Sequence, residues 1–295
     1  MHGVSGLEGM KKPWLQDSRP QPLVQSRPAF FVILPCLERL RKYLIMACVA
    51  FLQAEAVQPF CRRCESVGAE VKLVLLDETV TEREFLHILR ELSADDRVHG
   101  ILMFRPLPKH ISDIRARAAL AHGKDVDGCT DMSLAGVFIH SDLGFPPCTA
   151  QAVMEMIRYY RIDLDGKRVA ILGRSLVTGR PLAMMMMHAN ATVTICHTHT
   201  PDPASIAREA DIIVSCTGRM HSIGADYFMP GQIVIDVGVN WDPDRQQMMG
   251  DVAFDEAEKT AAAVTPVPGG IGAVTTQVLV DHVITAAYNT SIVND

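Results

Sequence analysis

Apolar runs broken by short polar turns organise this chain, and the alternation is most regular in its second half. Val169-Ala170-Ile171-Leu172 run directly into Gly173, Arg174 and Ser175, and the apolar segment Leu182 to Met187 follows Pro181. That order predicts a buried strand, a tight turn and a helix opened by Pro181, whose missing N–H is no loss in a first turn. A strand at Ala191 to Cys196, a short helix at Pro203 to Glu209, and strands at Asp211 to Cys216 and Gln232 to Val237 extend the pattern. Strands and helices in this order predict a doubly wound parallel sheet of Rossmann-like type.

The first half reads clearly from Glu65 onward. Glu70 to Leu76 predicts a strand, and Thr81 to Leu92 an amphipathic helix with Phe85, Leu86, Ile88, Leu89 and Leu92 inward, begun at Thr79 or Thr81. Val98 to Phe104 is the next strand, so a right-handed parallel crossover follows, with Arg105 to Pro108 at a carboxyl end where ligands collect. Pro146-Pro147-Cys148-Thr149 leads into a helix over Ala150 to Tyr160, capped by Thr149, that bridges two domains. A last helix spans Thr275 to Tyr288. Before Glu65 the pattern is weaker. Phe30 to Leu34 reads as a strand, Glu38 to Glu65 as a helical stretch interrupted by Pro59, and residues 1–28, dotted with prolines, as an extended leader.

Composition narrows the class. The chain has 295 residues, 48% hydrophobic and 21% charged, which suits a soluble globular protein of one or two domains. A net charge of −6 argues against a nucleic-acid partner. No apolar run reaches the ~18 residues of a membrane span, and the polar start is unlike a cleaved signal peptide, so a cytoplasmic location is expected. Eight cysteines, with Cys61-x-x-Cys64 unmatched by a second such pair, read as reduced thiols rather than a zinc site.

Four segments carry candidate chemistry. Arg174 beside Ser175 suits a phosphate, the guanidinium forking onto two oxygens and the hydroxyl supplying a third bond, although an ordinary strand-to-helix turn with a surface arginine fits the same residues. Lys124-Asp125-Val126-Asp127-Gly128 is either a solvated loop or a carboxylate held at a pocket mouth for the N–H groups of a heterocycle. His197-Thr198-His199-Thr200 follows a strand where nucleotide sheets approach the ribose, and without an Asp or Glu there the segment leans toward NADP. Two histidines without a third ligand do not make a metal site. Val264 to Gly272 combines glycines that allow close backbone approach with the start of a helix, or forms a hinge.

Together these segments resemble the methylenetetrahydrofolate dehydrogenase/methenyltetrahydrofolate cyclohydrolase family over about residues 61–288. The likeness rests on Gly100-Ile101-Leu102 with Pro106-Leu107-Pro108, on Lys124 to Gly128, and on Pro147-Cys148-Thr149. It continues through Gly173-Arg174-Ser175 with Gly179 and Pro181, Val234 to Asn240, Gly250-Asp251-Val252, and Thr265 to Gly272. The resemblance implies a cytoplasmic homodimer that binds NADP between two α/β domains, oxidises 5,10-methylenetetrahydrofolate and hydrolyses the methenyl product to 10-formyltetrahydrofolate. It places Gly173, Arg174, Ser175, Thr198 and Val239 on the cofactor. It places Asp127 on the pterin as both catalytic and substrate-binding residue, with Pro268, Gly269, Gly270 and Gly272 lining the shared pocket. The divisions that follow are a divergent leader over 1–60, a folate domain over 61–150, an NADP domain over 151–274 and a returning helix over 275–295.

The chain also departs from the family. The family's Tyr-x-x-x-Lys falls on Ala56 and Phe60, and Phe104 with Arg105 stands where Gln-Leu is usual. Hydride transfer needs two rings held face to face, whereas hydrolysis needs a placed acid–base group, so the dehydrogenase step is expected to survive better. Two rival readings share these residues: an impaired relative that binds NADP or folate, and a nicotinamide oxidoreductase for another small substrate.

Overall fold

In the computed structural model residues 45–51 and 57–293 are described; the strand read at Phe30 to Leu34, the leader and Ala56 lie outside them. The seven apolar residues Ile45–Phe51 form strand β1. Helix α1 (Val57–Ser66) follows, with Pro59 in its first turn, where no N–H partner is forfeited. Within the helical stretch expected over Glu38 to Glu65, the described residues form a strand and a helix. β1 pairs in parallel with β2 (Glu70–Leu76) on one side and β3 (Gly100–Met103) on the other. The sheet order β2-β1-β3 makes β1 its middle strand, so the segment before Cys61 supplies the centre of this sheet.

Between β2 and β3 runs α2 (Glu82–Ala94), started by a capping box in which Thr81 Oγ1 accepts from Glu84 N at 3.3 Å and Thr81 N donates to Glu84 Oε2 at 3.1 Å. Phe85, Leu86, Leu89 and Leu92 are buried, each worth about 1.5–3 kcal/mol of transfer energy. Three helices complete this half: α3 (Asp113–Ala119), α4 (Asp131–Ile139) and α5 (Cys148–Tyr159). Pro147 occupies the cap position of α5, so Thr149 sits inside the first turn and is not the cap.

The second half builds β4 (Arg168–Leu172), α6 (Gly179–His188), β5 (Thr192–Cys196), α7 (Pro203–Arg208), β6 (Ile212–Ser215) and β7 (Ile233–Asp236). A hairpin of β8 (Asn240–Asp242) and β9 (Gln247–Met249), helix α8 (Phe254–Thr260) and strand β10 (Ala263–Val264) follow. Because α6 begins at Gly179, Pro181 lies within its first turn and does not open it. The five-stranded sheet is parallel throughout, in the order β10-β7-β6-β4-β5.

Helix α9 (Ile271–Val293) starts earlier and ends later than the expected Thr275 to Tyr288. It packs along α5 and also meets α1 and β3. One continuous core thus runs from Leu102 through Val153 and Leu279 to Ile171 and Val214, joining the two sheets through this helix pair.

Candidate active site

Strand β4 lies between β5 and β6, and the chain leaves it on one side and returns on the other. The crevice beyond the carboxyl ends of β4 and β6 is the position where open α/β sheets bind ligands. Gly173 holds φ +132°, and a Cβ there would run into the Cys216 carbonyl oxygen. A Cβ at Gly179 would strike the Gly173 carbonyl, so the turn after β4, the end of β6 and the start of α6 nest at van der Waals limits. Ser175 Oγ accepts from Thr178 N at 3.1 Å, which leaves its O–H to donate outward. Arg174 and Ser175 are exposed at this mouth.

The loop after β5 folds toward the same mouth. His197 N donates to Thr200 Oγ1 at 2.9 Å, and His199 N donates to His197 Nδ1 at 3.1 Å, which places the proton of a neutral His197 ring on Nε2. Desolvation first, then the Arg174 cation and His199, push the His197 pKa down. Arg174 thus lies within electrostatic reach of His197, and Thr198 on the same loop is exposed.

Val239 is 59% exposed on the turn between β7 and β8, and two buried aspartates fix that turn. Asp236 accepts from Gly238 N at 2.9 Å, Asp251 N at 3.1 Å and Val252 N at 2.9 Å. Asp251 accepts from Thr217 N at 2.6 Å, Gly218 N at 3.1 Å, Arg219 N at 3.0 Å and Asn240 Nδ2 at 3.0 Å. A Cβ on Gly238 would hit Asp251, and one on Gly250 would hit Asp236, so the two glycines are the complement of the two carboxylates. The motifs Val234 to Asn240 and Gly250 to Val252 thus build the scaffold under Val239. Burial, opposed by the three backbone N–H groups, raises the Asp236 pKa to about 6.

A cavity of about 400 Å³ opens beside this crevice. Its walls come from Leu102 to Pro106 at the end of β3 and just beyond it, from Asp127, from Cys148 and Thr149 on α5, and from Thr275 and Leu279 on α9. Val177 completes it from the same turn that carries Gly173 to Ser175, so the cavity abuts that crevice. Of the residues expected on the substrate side, Asp127 lines it. Pro268, Gly269 and Gly270 sit on the loop before α9 and Gly272 in its first turn, whereas the wall from that segment is formed by Thr275 and Leu279.

The two aspartates of Lys124 to Gly128 have separate tasks. Asp125 is fully buried and accepts from Cys129 N at 3.0 Å, Thr130 N at 2.7 Å and Ser133 Oγ at 2.8 Å, which shapes the loop. Gly128 holds φ +69°, with Phe145 O at 2.5 Å from where a Cβ would stand. Asp127 turns into the cavity, where the Arg105 guanidinium lies 3.4 Å from its Oδ2. Desolvation raises the Asp127 pKa to about 6, with Arg105 pulling it down and Asp125 pushing it up. Lys124 Nζ instead donates to the Asp95 carbonyl at 2.8 Å, away from the cavity wall.

Behind the loop, His282 Nδ1 lies 2.8 Å from the Val126 carbonyl oxygen and Cys148 Sγ donates to the same oxygen at 3.1 Å. Burial lowers the His282 pKa and raises that of Cys148, so the thiol is a packing and hydrogen-bonding group rather than a nucleophile. Val177 and Leu279 are wall residues with no signal of their own in the sequence, and Thr149 and Thr275 stand out there only as helix starts; the fold brings the four together. Among the described residues no group of three or more His, Cys, Asp or Glu side chains could hold a metal ion, and no helix is long and apolar enough to cross a membrane.

Comparison with known proteins agrees with this architecture. Residues 57–127 match the tetrahydrofolate dehydrogenase/cyclohydrolase catalytic domain, and residues 147–291 match the NAD(P)-binding domain of the same family. The bifunctional protein FolD of Carboxydothermus hydrogenoformans is 46% identical over 226 residues, 76% of this chain and 79% of that protein. The bifunctional FolD enzyme of Campylobacter jejuni superposes with a TM-score of 0.81 at 34% identity, covering 86% of this chain and 94% of its own. The Trypanosoma brucei FolD enzyme, solved with NADP cofactor and an inhibitor, gives 0.79 at 30% identity over 86% of this chain and 94% of its own. With both domain matches in chain order over the observed two-sheet fold, the chain belongs to the tetrahydrofolate dehydrogenase/cyclohydrolase family.

Proposed function

We propose that this protein oxidises 5,10-methylenetetrahydrofolate to the 5,10-methenyl cation, passing the hydride to NADP. The observation that carries the reading is the cavity of about 400 Å³ with Asp127 at one wall and Val177 of the turn after β4 at another, which supports a pterin site next to the nicotinamide. Arg174, Ser175 and Thr198 would hold the phosphates, Arg174 and Thr198 reading the 2′-phosphate where His197-Thr198-His199-Thr200 carries no acidic residue. Gly173 lets the backbone approach the bound cofactor, and Val239 packs beside its nicotinamide half. Asp127, ionised, accepts N–H groups of the pterin, and Thr275 and Leu279 of α9 wall the substrate side, with Pro268 to Gly272 leading into that helix. Bound NADP supplies the hydride acceptor; the chain holds the two rings in register and excludes water.

The relatives named FolD are bifunctional, and the hydrolytic half of that activity is expected to be weak here because Phe60 and Phe104 take the places of the family's lysine and glutamine. A cytoplasmic homodimer is the expected state. Purified protein given methylenetetrahydrofolate and NADP should produce NADPH and the methenyl chromophore in equal amounts, and Asp127→Asn should raise KM for the folate while leaving NADP affinity intact. Absence of both products in the parent protein would refute the assignment.

A further inference from the structure

Arg105 and Asp127 meet inside the cavity, with side-chain exposures of 21% and 25%, and one guanidinium nitrogen lies 3.4 Å from Asp127 Oδ2. The groups around that carboxylate come from several elements. Its own loop brings Asp125, committed to two backbone N–H groups and Ser133, and the buried thiol of Cys129. Helix α5 brings the Cys148 thiol, and behind it α9 brings His282, whose imidazole faces Asp281 and Glu155 and is kept toward the neutral form by burial. The connection after β3 brings Arg105. Among these described groups Arg105 is the cation; Cys148 supports the ionised carboxylate through a neutral hydrogen bond, while Asp125 and desolvation oppose it.

A carboxyl so placed gains its proton readily, and a protonated Asp127 would offer a donor to the N–H groups it has to bind. We propose that Arg105 is a positioning residue for the substrate: by holding Oδ2 it keeps Asp127 ionised and leaves Oδ1 to accept from the pterin. This rests on the reading of the cavity as the folate site. It also gives the arginine a task at a position where leucine is usual in the family.

The test pairs a folate-free measurement with a kinetic one. Carboxyl titration of the unliganded protein by ¹³C NMR, with Asp127 assigned by its absence in Asp127→Asn, should show Asp127 titrating about one unit or more higher in Arg105→Leu than in the parent. Arg105→Lys should restore most of the difference. The acid limb of kcat/KM for the dehydrogenase should move by the same amount, with KM for folate rising at pH 6 relative to pH 8 and kcat little changed. An unchanged Asp127 titration in Arg105→Leu overturns the inference, and Arg105→Gln, closer in shape, decides it in the same way should the leucine variant not fold. A shifted titration with an unmoved kinetic limb would leave the pair standing and refute the cavity as the folate site.

Discussion

At the residue scale, the raised Asp127 carboxyl ties the candidate site to stability. An ordinary aspartate has a pKa of 3.8, and the folded one is near 6. Between those values the folded chain keeps a proton that the unfolded chain has released, so stability falls as pH rises across this window and is level on either side of it. Asp127→Asn lacks this titration, and its stability relative to the parent should climb from about pH 4 to about pH 6 in urea midpoints. Parallel curves would mean that Asp127 titrates normally. Arg174 makes a second residue-scale case. Its guanidinium is exposed at the turn, so Arg174→Ala should leave the fold intact. NADP should bind about ten- to hundredfold more weakly, the worth of a charge-assisted hydrogen bond, while NAD is scarcely affected. Equal losses for both cofactors in calorimetry would show that Arg174 does not read the 2′-phosphate.

At the element scale, the turns decide more than the strands do. Asp236 is 3% exposed and its two oxygens take three backbone N–H groups, so Asp236→Asn would set an NH2 against at least one of those donors. An unmet buried donor costs about 1–3 kcal/mol, and the variant should melt at lower temperature and bind NADP less well because the Val239 turn loses its anchor. Unchanged melting would mean that the turn stands without the carboxylate. Such turn chemistry was legible in advance: Gly173, the Thr81 cap and the strand order of the second half all have short-range signals. β1 was not, because Ile45 to Phe51 is apolar at every position and periodicity cannot separate a buried strand from a buried helix. The boundaries of α5, α6 and α9 also moved, since Thr149 and Pro181 are plausible first-turn residues whose exact place depends on tertiary packing.

At the scale of the whole molecule, the cavity exists because α5 and α9 clamp two sheets together, and its walls come from segments that lie far apart in the chain. Asp127 and Arg105 could be marked from sequence as near a site, but their 3.4 Å pairing and the wall supplied by Val177 depend on the assembled fold. The same assembly sets the last prediction. Hydrolysis of the methenyl cation needs a group that gives and takes a proton, worth about 10²–10⁴-fold, and no lysine lies among the described residues that line the cavity. Lys124 is bound to the Asp95 carbonyl, Lys72 acts on Asp95 from β2, and the Arg105 guanidinium is engaged with Asp127. Methenyltetrahydrofolate should therefore decay in the presence of the protein at a rate close to that in buffer, while NADPH formation from the methylene form proceeds. Phe60→Lys, which restores the family residue at its position in α1, should raise the hydrolytic rate without raising the dehydrogenase rate. Rapid hydrolysis by the parent protein, followed as loss of the methenyl absorbance, would show that another group moves the proton.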